Sequence, residues 1–443
     1  MKKIFKSILA ISCAAVSMFG LSACGDKGAN PYIKPESTTL GAPKETTTIS
    51  FDERDNAKTL SASAEKFASD FASLAYNEYD KDTNFTVAPV SVYMALSLAA
   101  QCADGNTRSE ILSALGVSYD QLLNGFSDYY RSLFADYKYE GKTIGTIDFS
   151  NSIWLDNSLK TKQACVDTLA EKFHCYSYKV GFYDDNPAAN AAIREFVKDK
   201  TKGLINQDFK LGKETLFALI NTLYLKDIWN SLGDELNYTD QTYDFVNYDA
   251  STTKTKLLQG SYNKGRIYEC DEFSTFFTST ANGNKIKFIL PNEGFGVDDI
   301  FTAENLAEIN SITNYEAVDN TNKIVYNTRC LFPEFTAEYD DDIIALLRQM
   351  GINDLFSVKD CNYTALTETN AYCSSVVHVT KLKVDKIGVE GAAVTIIAND
   401  GESMPPYFDY EHKYSDFVID KSFGFILTDK YDNTLFSGVV KKV

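Results

Sequence analysis

The chain has 443 residues, of which 61 are acidic and 43 basic, so its net charge is −18. This charge excludes a protein that coats nucleic-acid phosphates, because such contacts need clustered lysine and arginine. The length allows two domains, but no linker or repeat interrupts residues 58–443, and we expect one large domain there.

The N-terminus has the features of an export signal. Three lysines among the first six residues precede an apolar run, residues 8–19, which is too short to span a bilayer. The string LSAC at residues 21–24 follows directly and resembles a bacterial lipobox, in which the cysteine receives a diacylglycerol. We therefore expect residues 1–23 to be a signal peptide and Cys24 to anchor the protein to the outer face of the cell membrane. A plain secretory signal with a chance cysteine is the alternative.

Residues 24–57 follow as the predicted link between the anchor and the domain. They are rich in Thr, Ser, Pro, Lys and Glu and show no apolar period. This composition is typical of a disordered tether.

Besides Cys13 in the predicted signal peptide and Cys24, the chain has seven cysteines, and these indicate neither a disulfide framework nor a metal site. Their number is odd, and no CxxC or His-Cys cluster occurs. We interpret them as small buried apolar residues, and we expect no cofactor and no metal.

Apolar periodicity predicts helices first and strands later, an order typical of an α+β domain with large mixed sheets. The predicted helices cover 59–79, 89–101, 106–116, 119–138, 161–174, 187–201 and 340–350. The predicted strands cover 144–155, 215–227, 265–279, 284–290, 323–332, 374–385, 416–428 and 434–441.

Catalytic signatures are missing from the sequence. Only three histidines occur, and there is no Gly-x-Ser-x-Gly, HExxH or phosphate-binding glycine loop. Asp340-Asp341-Asp342 could suggest a metal site, but we interpret it as the acidic first turn of the helix predicted over 340–350. We do not expect an enzyme.

Seven segments stand out in chain order. They are NFTVAPVS and the helix and turn after it at 84–116, VKDKTKGLI at 197–205, FALINTLYLKDIWN at 217–230, IKFILPNE at 286–293, LFPEF with LLRQMGINDLFSVKDCNYTALTE at 331–335 and 346–368, VVHVTKLKVDKIGVEGAAVT at 376–395, and FGFILTDKYDNTLFSGVV at 423–440. In order and spacing, these segments resemble characteristic segments of the serpin family.

The resemblance implies a serpin-like α+β fold, with helices around three mixed or antiparallel β-sheets and an exposed reactive loop, here residues 386–415. It also implies suicide inhibition: a peptidase cuts the loop, the loop inserts into the central sheet, and the acyl-enzyme is trapped. The partners would be the target peptidase, bound covalently, and the membrane, with no nucleic acid, and we expect a monomer. A non-inhibitory serpin that binds a surface ligand is the alternative.

The start of the reactive loop has the small side chains that insertion into a sheet requires. If alternate residues face the core, Val389, Gly391, Ala393 and Thr395 point inward and Glu390 points to solvent. The complete hinge is Gly388, Val389, Glu390, Gly391, Ala392, Ala393, Val394 and Thr395.

The resemblance also places the cleaved bond. Lys386 aligns with the acidic residue that opens the hinge in inhibitory serpins, and counting seventeen residues from it gives Glu402, followed by Ser403. An acidic specificity residue implies a Glu- or Asp-preferring peptidase with a cationic pocket, with Asp400 as the fallback position. An elastase-like enzyme cutting near Ile397 or Ala398 is a further possibility.

The sequence matches some, but not all, of the other positions that the family pattern specifies. Ser91, Asn221 and His378 match the polar cluster below the point where the sheet opens, although Ala88 replaces one serine. Trp229 matches the tryptophan at the top of the gap. Lys386 reverses the usual charge at the hinge, so the family's salt bridge cannot form there as such.

Residues 407–416 have no counterpart in the family pattern and resemble an insertion. They could either contact the target peptidase or form a solvated loop.

Overall fold

The structure is a computed structural model that describes residues 34–49, 54–79, 81–139, 142–229, 235–312, 315–369, 371–373, 376–390 and 410–443. Cys24, Gly391 to Thr395, and the Glu402-Ser403 bond lie outside these residues.

The described helices begin at the capping residues that their sequences supply. Pro89 occupies the first turn of one helix, Asp104 caps the next, and Ser118 forms a capping box with Gln121 at the third. The helices are α1 (Arg54–Asn77), α2 (Pro89–Cys102), α3 (Gly105–Leu115), α4 (Tyr119–Leu133), α5 (Gln163–Phe173), α6 (Asn186–Lys200), α7 (Val297–Ile300), α8 (Ala303–Ser311) and α9 (Ile344–Gln349).

Strands dominate the second half of the chain. They are β1 (Thr38–Gly41), β2 (Phe85–Val87), β3 (Ala135–Tyr139), β4 (Lys142–Asp156), β5 (Cys175–Val180), β6 (Phe217–Ile228), β7 (Tyr243–Val246), β8 (Thr252–Thr255), β9 (Leu258–Lys264), β10 (Tyr268–Glu269), β11 (Phe273–Ser279), β12 (Lys285–Pro291), β13 (Val318–Asp319), β14 (Ile324–Phe332), β15 (Phe335–Asp342), β16 (Val377–Val384), β17 (Gly388–Val389), β18 (Glu411–Val418), β19 (Phe423–Thr428) and β20 (Thr434–Val440).

Three sheets form among the described residues. The largest has the strand order β1-β5-β4-β6-β17-β16-β15-β2-β20-β19-β12-β11-β10, with β3 on β4. A second sheet contains β13, β14 and β18, with β9 also on β14, and a third contains β7 and β8. Both parallel and antiparallel pairs occur, so the expected α+β class with mixed sheets is confirmed.

The main sheet is packed on both sides. On one side, α1 and α2 contribute Phe71, Tyr93 and their neighbours to the principal core. On the other side, α6 covers β4 and β6 through a smaller apolar cluster that includes Trp154, Phe182 and Ile193. The strands β4 and β6 therefore lie between α1 and α2 on one side and α6 on the other, and the core-facing side chains of a strand added beside β6 must fit against packed side chains.

The segment before α1 differs from the expected tether. Thr38–Gly41 pairs antiparallel with the edge strand β5, because two β-branched threonines suit a strand and an unpaired edge offers free hydrogen-bonding groups. A Cβ at Gly41 would lie 2.7 Å from Val166, so a glycine is needed for this approach. Polar composition concealed the strand, and the prediction of disorder is wrong for residues 38–41.

The three aspartates at 340–342 do not form the first turn of a helix. They end β15, which pairs with β16, and α9 begins only at Ile344. The alternation of buried Phe335, Ala337 and Tyr339 with exposed residues is the strand signal, so the prediction of a helix from residue 340 is wrong. Two other boundaries also differ: α4 ends at Leu133 and is followed by β3, and most of the apparent insertion at 407–416 belongs to β18.

The described part of the chain contains no helix that is both long and apolar enough to cross a membrane. Six of the seven described cysteines are buried and Cys270 is partly exposed.

Candidate functional site

The main sheet contains a gap between β6 and β16. These strands run in the same direction, and β17, only two residues long, lies between them and is antiparallel to both. Gly388 pairs with Ile228, and Val389 pairs with Asp227 on one side and Val384 on the other. Elsewhere along the described parts of β6 and β16 no ladder joins the two strands. Their inner edges therefore have backbone groups that an added strand could pair with.

A tight turn connects β16 to β17, and the carboxylate of Asp385 organises it. One of its oxygens accepts hydrogen bonds from the amides of Ile387 at 2.8 Å and Gly388 at 3.2 Å, and the other pairs with Lys383 at 2.7 Å. Burial raises the pKa of Asp385, but these hydrogen bonds outweigh burial, so the pKa lies below its ordinary value. The turn is thus held by an ionised side chain.

Trp229 fixes the same turn from the β6 side. Its indole N–H donates to the Asp385 carbonyl at 2.5 Å, and its backbone amide donates to the Ile387 carbonyl at 3.2 Å. The ring is buried, with its centroid 5.4 Å from that of Phe332. The structure therefore places Trp229 at the top of the gap, where its position sets the start of the loop.

Gly388 is required by the closeness of β6. A Cβ at this position would overlap the carbonyl oxygen of Asp227. The Asp227 side chain is buried and accepts hydrogen bonds from Thr280, from Asn282 at 2.5 Å and from Asn284 at 2.6 Å. Burial raises the pKa of Asp227 to about 6.

The Asp227 network was missed at the sequence level. Its only signal was an acidic residue at the end of the strand-like segment 215–227.

The charge reversal at the hinge is compensated. Lys386 forms an ion pair with Glu235 at 2.7 Å, and its backbone amide donates to the Glu334 carboxylate at 2.9 Å. Both partners are acidic, so the turn has an ion pair at Lys386 although the charge of this residue is reversed. Sequence reasoning found the reversal but not the partners, because neither glutamate is near residue 386 in the chain.

Ser91, Asn221 and His378 line the same two small cavities below the gap, of about 60 and 40 Å³. His378 Nε2 accepts a hydrogen bond from the backbone amide of Ala88 at 3.2 Å, and burial lowers its pKa to about 3. The Asn221 amide donates to Asn151 at 2.7 Å, while its own oxygen is buried without a partner. The cluster is therefore polar, neutral and incompletely hydrogen-bonded, which costs free energy.

Val389 and Glu390 mark where the described hinge ends. Val389 is fully buried in the core, and the amide of Glu390 donates to the Lys383 carbonyl at 2.8 Å. Glu390 then adopts a φ of +50°, a left-handed conformation that costs about 1–2 kcal/mol for a residue with a side chain. The chain thus leaves the strand conformation after two paired residues.

The Glu390 side chain is half-buried, with one oxygen unpartnered. Burial raises the pKa of Glu390 to about 7, against lowering effects of Tyr224, Lys226 and Lys383. At neutral pH a substantial fraction of Glu390 is therefore protonated.

Comparisons with known proteins agree with this geometry. The family model described as "Serpin (serine protease inhibitor)" matches residues 62–443. Iripin-1 of Ixodes ricinus is 26% identical over 377 residues, covering 82% of this chain and 90% of its own. Human neuroserpin is 25% identical over 389 residues, covering 83% and 90%.

A solved structure shows the same fold. The native state of tengpin, a thermophilic serpin, superposes with a TM-score of 0.68 at 20% identity and covers 92% of this chain and all of tengpin. The expected fold, including its arrangement of sheets and helices, is confirmed.

We predict that ionisation of Glu390 destabilises the described hinge. Because the pKa of Glu390 is raised in the folded protein, the contribution of this carboxyl group to the free energy of unfolding is fully present below its ordinary pKa near 4.5. That contribution is lost as the pH rises through about 7. Thermal unfolding of the intact protein should show Glu390→Gln matching the wild type at pH 4.5 and exceeding it by a few degrees at pH 8.

The exposed Glu368 provides the control, and Glu368→Gln should follow the wild type at every pH. A Glu390→Gln curve parallel to that of the wild type from pH 4.5 to 8 would show that the carboxyl group is not coupled to the hinge.

Proposed function

The chain belongs to the serpin family, and from this membership we propose that it is an irreversible suicide-substrate inhibitor of a peptidase. The observation that carries the proposal is the position of β17, where the first residues of the loop already pair with both β6 and β16. In this reading the described hinge is the first step of a strand that is completed only after cleavage.

The chemistry is supplied by the target. Its nucleophile attacks the carbonyl carbon of Glu402, the bond to the Ser403 nitrogen breaks, and the amine leaves with a proton from the general acid. The product is an acyl-enzyme in which the loop is covalently attached to the peptidase. Insertion of the freed loop then pulls the peptidase along the sheet and distorts its catalytic site before water can release it.

The register of the hinge specifies what insertion would bury. Continuing the observed pairing along β6 brings Gly391 opposite Leu225, Ala393 opposite Leu223 and Thr395 opposite Asn221. These partners lie on the core side of β6, as Val389 does, so each inserting residue must be small. Thr395 would reach the level of the Asn221 oxygen that has no hydrogen-bond partner.

Insertion also has a free-energy source. The unpaired edges of β6 and β16 would gain hydrogen bonds worth about 1 kcal/mol each, and Glu390 could leave its left-handed conformation. Before cleavage, the intact loop must span from β17 to β18, which prevents its full length from entering the gap.

The target class follows from the loop sequence. Glu402 suits a peptidase with a cationic specificity pocket, because an unpaired carboxylate is costly to bury. Asp400 offers a second acidic position, and Ile397 and Ala398 suit an elastase-like enzyme. Because residues 387–412 contain no lysine or arginine, a trypsin-like enzyme is not expected as the target.

We further propose that the inhibitor acts as a monomer at the outer face of a bacterial membrane, anchored through a lipid on Cys24. Support comes from the lysines, the apolar run and the LSAC string at the N-terminus.

The inhibitory mechanism is tested by two neighbouring alanines that differ only in the face they would occupy. Ala393→Arg puts a charged side chain on the core side of the inserting strand, whereas Ala392→Arg falls on the opposite side. The wild type mixed with a glutamyl-specific serine peptidase should give a denaturant-resistant band at the summed mass. Ala393→Arg should be cut without forming that band, because burying the arginine costs several kcal/mol.

Ala392→Arg is the matched control and should keep most of the complex. The quantity to compare is the number of moles of inhibitor consumed per mole of peptidase. This number should be at least about tenfold larger for Ala393→Arg than for Ala392→Arg, since about 1.4 kcal/mol on the insertion barrier is a tenfold change in rate. Clean cleavage of the wild type with no complex would favour a non-inhibitory serpin, and equal behaviour of the two variants would contradict insertion.

The anchor is tested by changing the cysteine that follows the apolar run. Cys24→Ser should abolish incorporation of a labelled fatty acid in a bacterial host and move the protein from the detergent phase to the aqueous phase. Cys13→Ser, within the predicted signal peptide, is the control and should leave the lipid in place. Fatty-acid labelling that persists in Cys24→Ser would refute this assignment.

A further inference from the structure

Two buried cysteines from distant parts of the chain meet in the principal core. Cys102 is the last residue of α2, and Cys165 lies in the first turn of α5. Their thiols form a hydrogen bond with each other, in which Cys102 donates and Cys165 accepts. Because hydrogen-bonded thiols are already close together, small shifts of the two side chains bring the sulfur atoms to the bonding distance of about 2 Å.

Cys165 is the more nucleophilic member of the pair. Its sulfur also accepts a hydrogen bond from the Gln101 side chain, and it lies at the positive end of the α5 dipole. The hydrogen bond from Cys102 is the main cause that lowers the pKa of Cys165, and the same bond raises the pKa of Cys102. A thiolate at a helix N-terminus is well suited to attack a disulfide.

The first turn of α5 gives an oxidant a route to the pair. Lys162, the N-cap residue, makes no capping hydrogen bond through its side chain, and Gln163 and Ala164 are exposed. An uncapped first turn opens at low cost, since its amide groups have no partner within the helix. Opening of this turn brings Cys165 to the surface while Cys102 stays in the core.

Insertion of the reactive loop requires β6 and β16 to move apart. Neighbouring strands lie about 4.8 Å apart, so a strand inserted between these two needs a separation of about 10 Å. Below β17, the cavities lined by both strands measure only about 60 and 40 Å³, and a water molecule alone takes up about 30 Å³. A complete strand therefore does not fit until the gap widens.

The two cysteines belong to opposite sides of this movement. The helix α5 packs on β5, which is joined through β4 to β6. The helix α2 is held to the other side, because the amide of its N-cap residue Ala88 donates to His378 on β16 and its body packs on β20, which is joined to β16 through β2 and β15. The contact of α2 with β6 can slide, but a covalent bond between α2 and α5 cannot lengthen and would resist widening of the gap.

We propose that Cys102 and Cys165 form a disulfide in an oxidising medium, and that this bond is a redox-sensitive latch that opposes opening of the gap between β6 and β16. The oxidised form would insert its cut loop slowly, and the reduced form would insert it rapidly. This inference rests on the proposed function, since it concerns the regulation of loop insertion.

The oxidant that the latch needs is a small disulfide such as oxidised glutathione. The Cys165 thiolate attacks one sulfur atom of the oxidant, which forms a mixed disulfide and releases the first glutathione. The Cys102 thiol then gives up its proton and attacks the Cys165 sulfur, which releases the second glutathione. Two protein thiols are oxidised to one disulfide, one glutathione disulfide is reduced to two thiols, and the two protons end on the glutathione sulfurs.

The bond itself is tested by peptide mapping of the intact protein. The protein is reduced, incubated with oxidised glutathione, alkylated without further reduction, digested and analysed by mass spectrometry. We expect a cross-linked pair of peptides that contains Cys102 and Cys165 and disappears after treatment with dithiothreitol. Absence of this pair, or pairing of Cys165 with Cys175 instead, overturns the proposal.

The latch is tested by comparing the oxidised and reduced forms, freed of reagent, as inhibitors of the glutamyl-specific serine peptidase. Oxidation of the wild type should raise the number of moles of inhibitor consumed per mole of peptidase at least about fivefold, because slower insertion gives water more time to release the enzyme. Reduction should reverse this change. Cys102→Ala should give the same number in both forms, whereas Cys330→Ala, at a buried cysteine of the second sheet, is the matched control and should respond like the wild type.

The outcomes separate the latch from the proposed function. Equal consumption of the oxidised and the reduced wild type, with the disulfide present, overturns the latch alone. Absence of a covalent complex with either form overturns the proposed function and the latch together. Thermal unfolding checks that the alanine variants remain folded, and the comparison between the two forms of the wild type needs no substitution.

Discussion

The whole structure depends on an incomplete ladder between β6 and β16. Two parallel strands in the middle of a sheet would ordinarily be joined by hydrogen bonds along their length, yet here only the two residues of β17 bridge them. The unpaired edges lie in the middle of the sheet rather than at an open rim, and the principal core packs against one face of this region. A strand that fits the gap must be antiparallel to both neighbours and must have small side chains on its core side. It must also continue from β17, at the end of the gap where Trp229 lies.

The residues around β17 hold its two paired residues in place at one end of the gap. Trp229 and the Asp385 carboxylate fix the turn, the Asp227 carbonyl leaves space only for a glycine at 388, and Glu390 adopts a left-handed φ of +50° that ends the strand conformation. Below this point the Asn221 oxygen remains without a partner. The fold thus keeps unsatisfied hydrogen-bonding groups and backbone strain in its centre, and relief of both is the free energy that the proposed insertion would release.

Much of this architecture could be predicted from the sequence because its signals are local. The apolar run from Pro89, the helix at 186–200 and the small residues after Gly388 each have a period or composition that indicates their role. Other features arise from contacts between distant segments. Neither the strand at 38–41 on β5, nor the reversed ion pair of Lys386 with Glu235, nor the approach of Cys102 to Cys165 leaves a pattern within one stretch of chain. The first part of β18, before the strand predicted from residue 416, was missed for a related reason, since residues 411–416 are all exposed and lack the alternation that marks a half-buried strand.

The central claim is that the gap accepts the loop as a new strand, and unfolding of the protein after a single cut in the loop tests it most directly. Ten of the twelve positions of β6, from Phe217 to Lys226, are not yet paired with β17, and hydrogen bonds worth about 1 kcal/mol each predict about 10 kcal/mol of added stability. For a domain of this size that gain raises the midpoint of thermal unfolding by about 10 °C. An unchanged or lowered midpoint in protein shown by mass spectrometry to be cut between residues 397 and 403 would contradict the account.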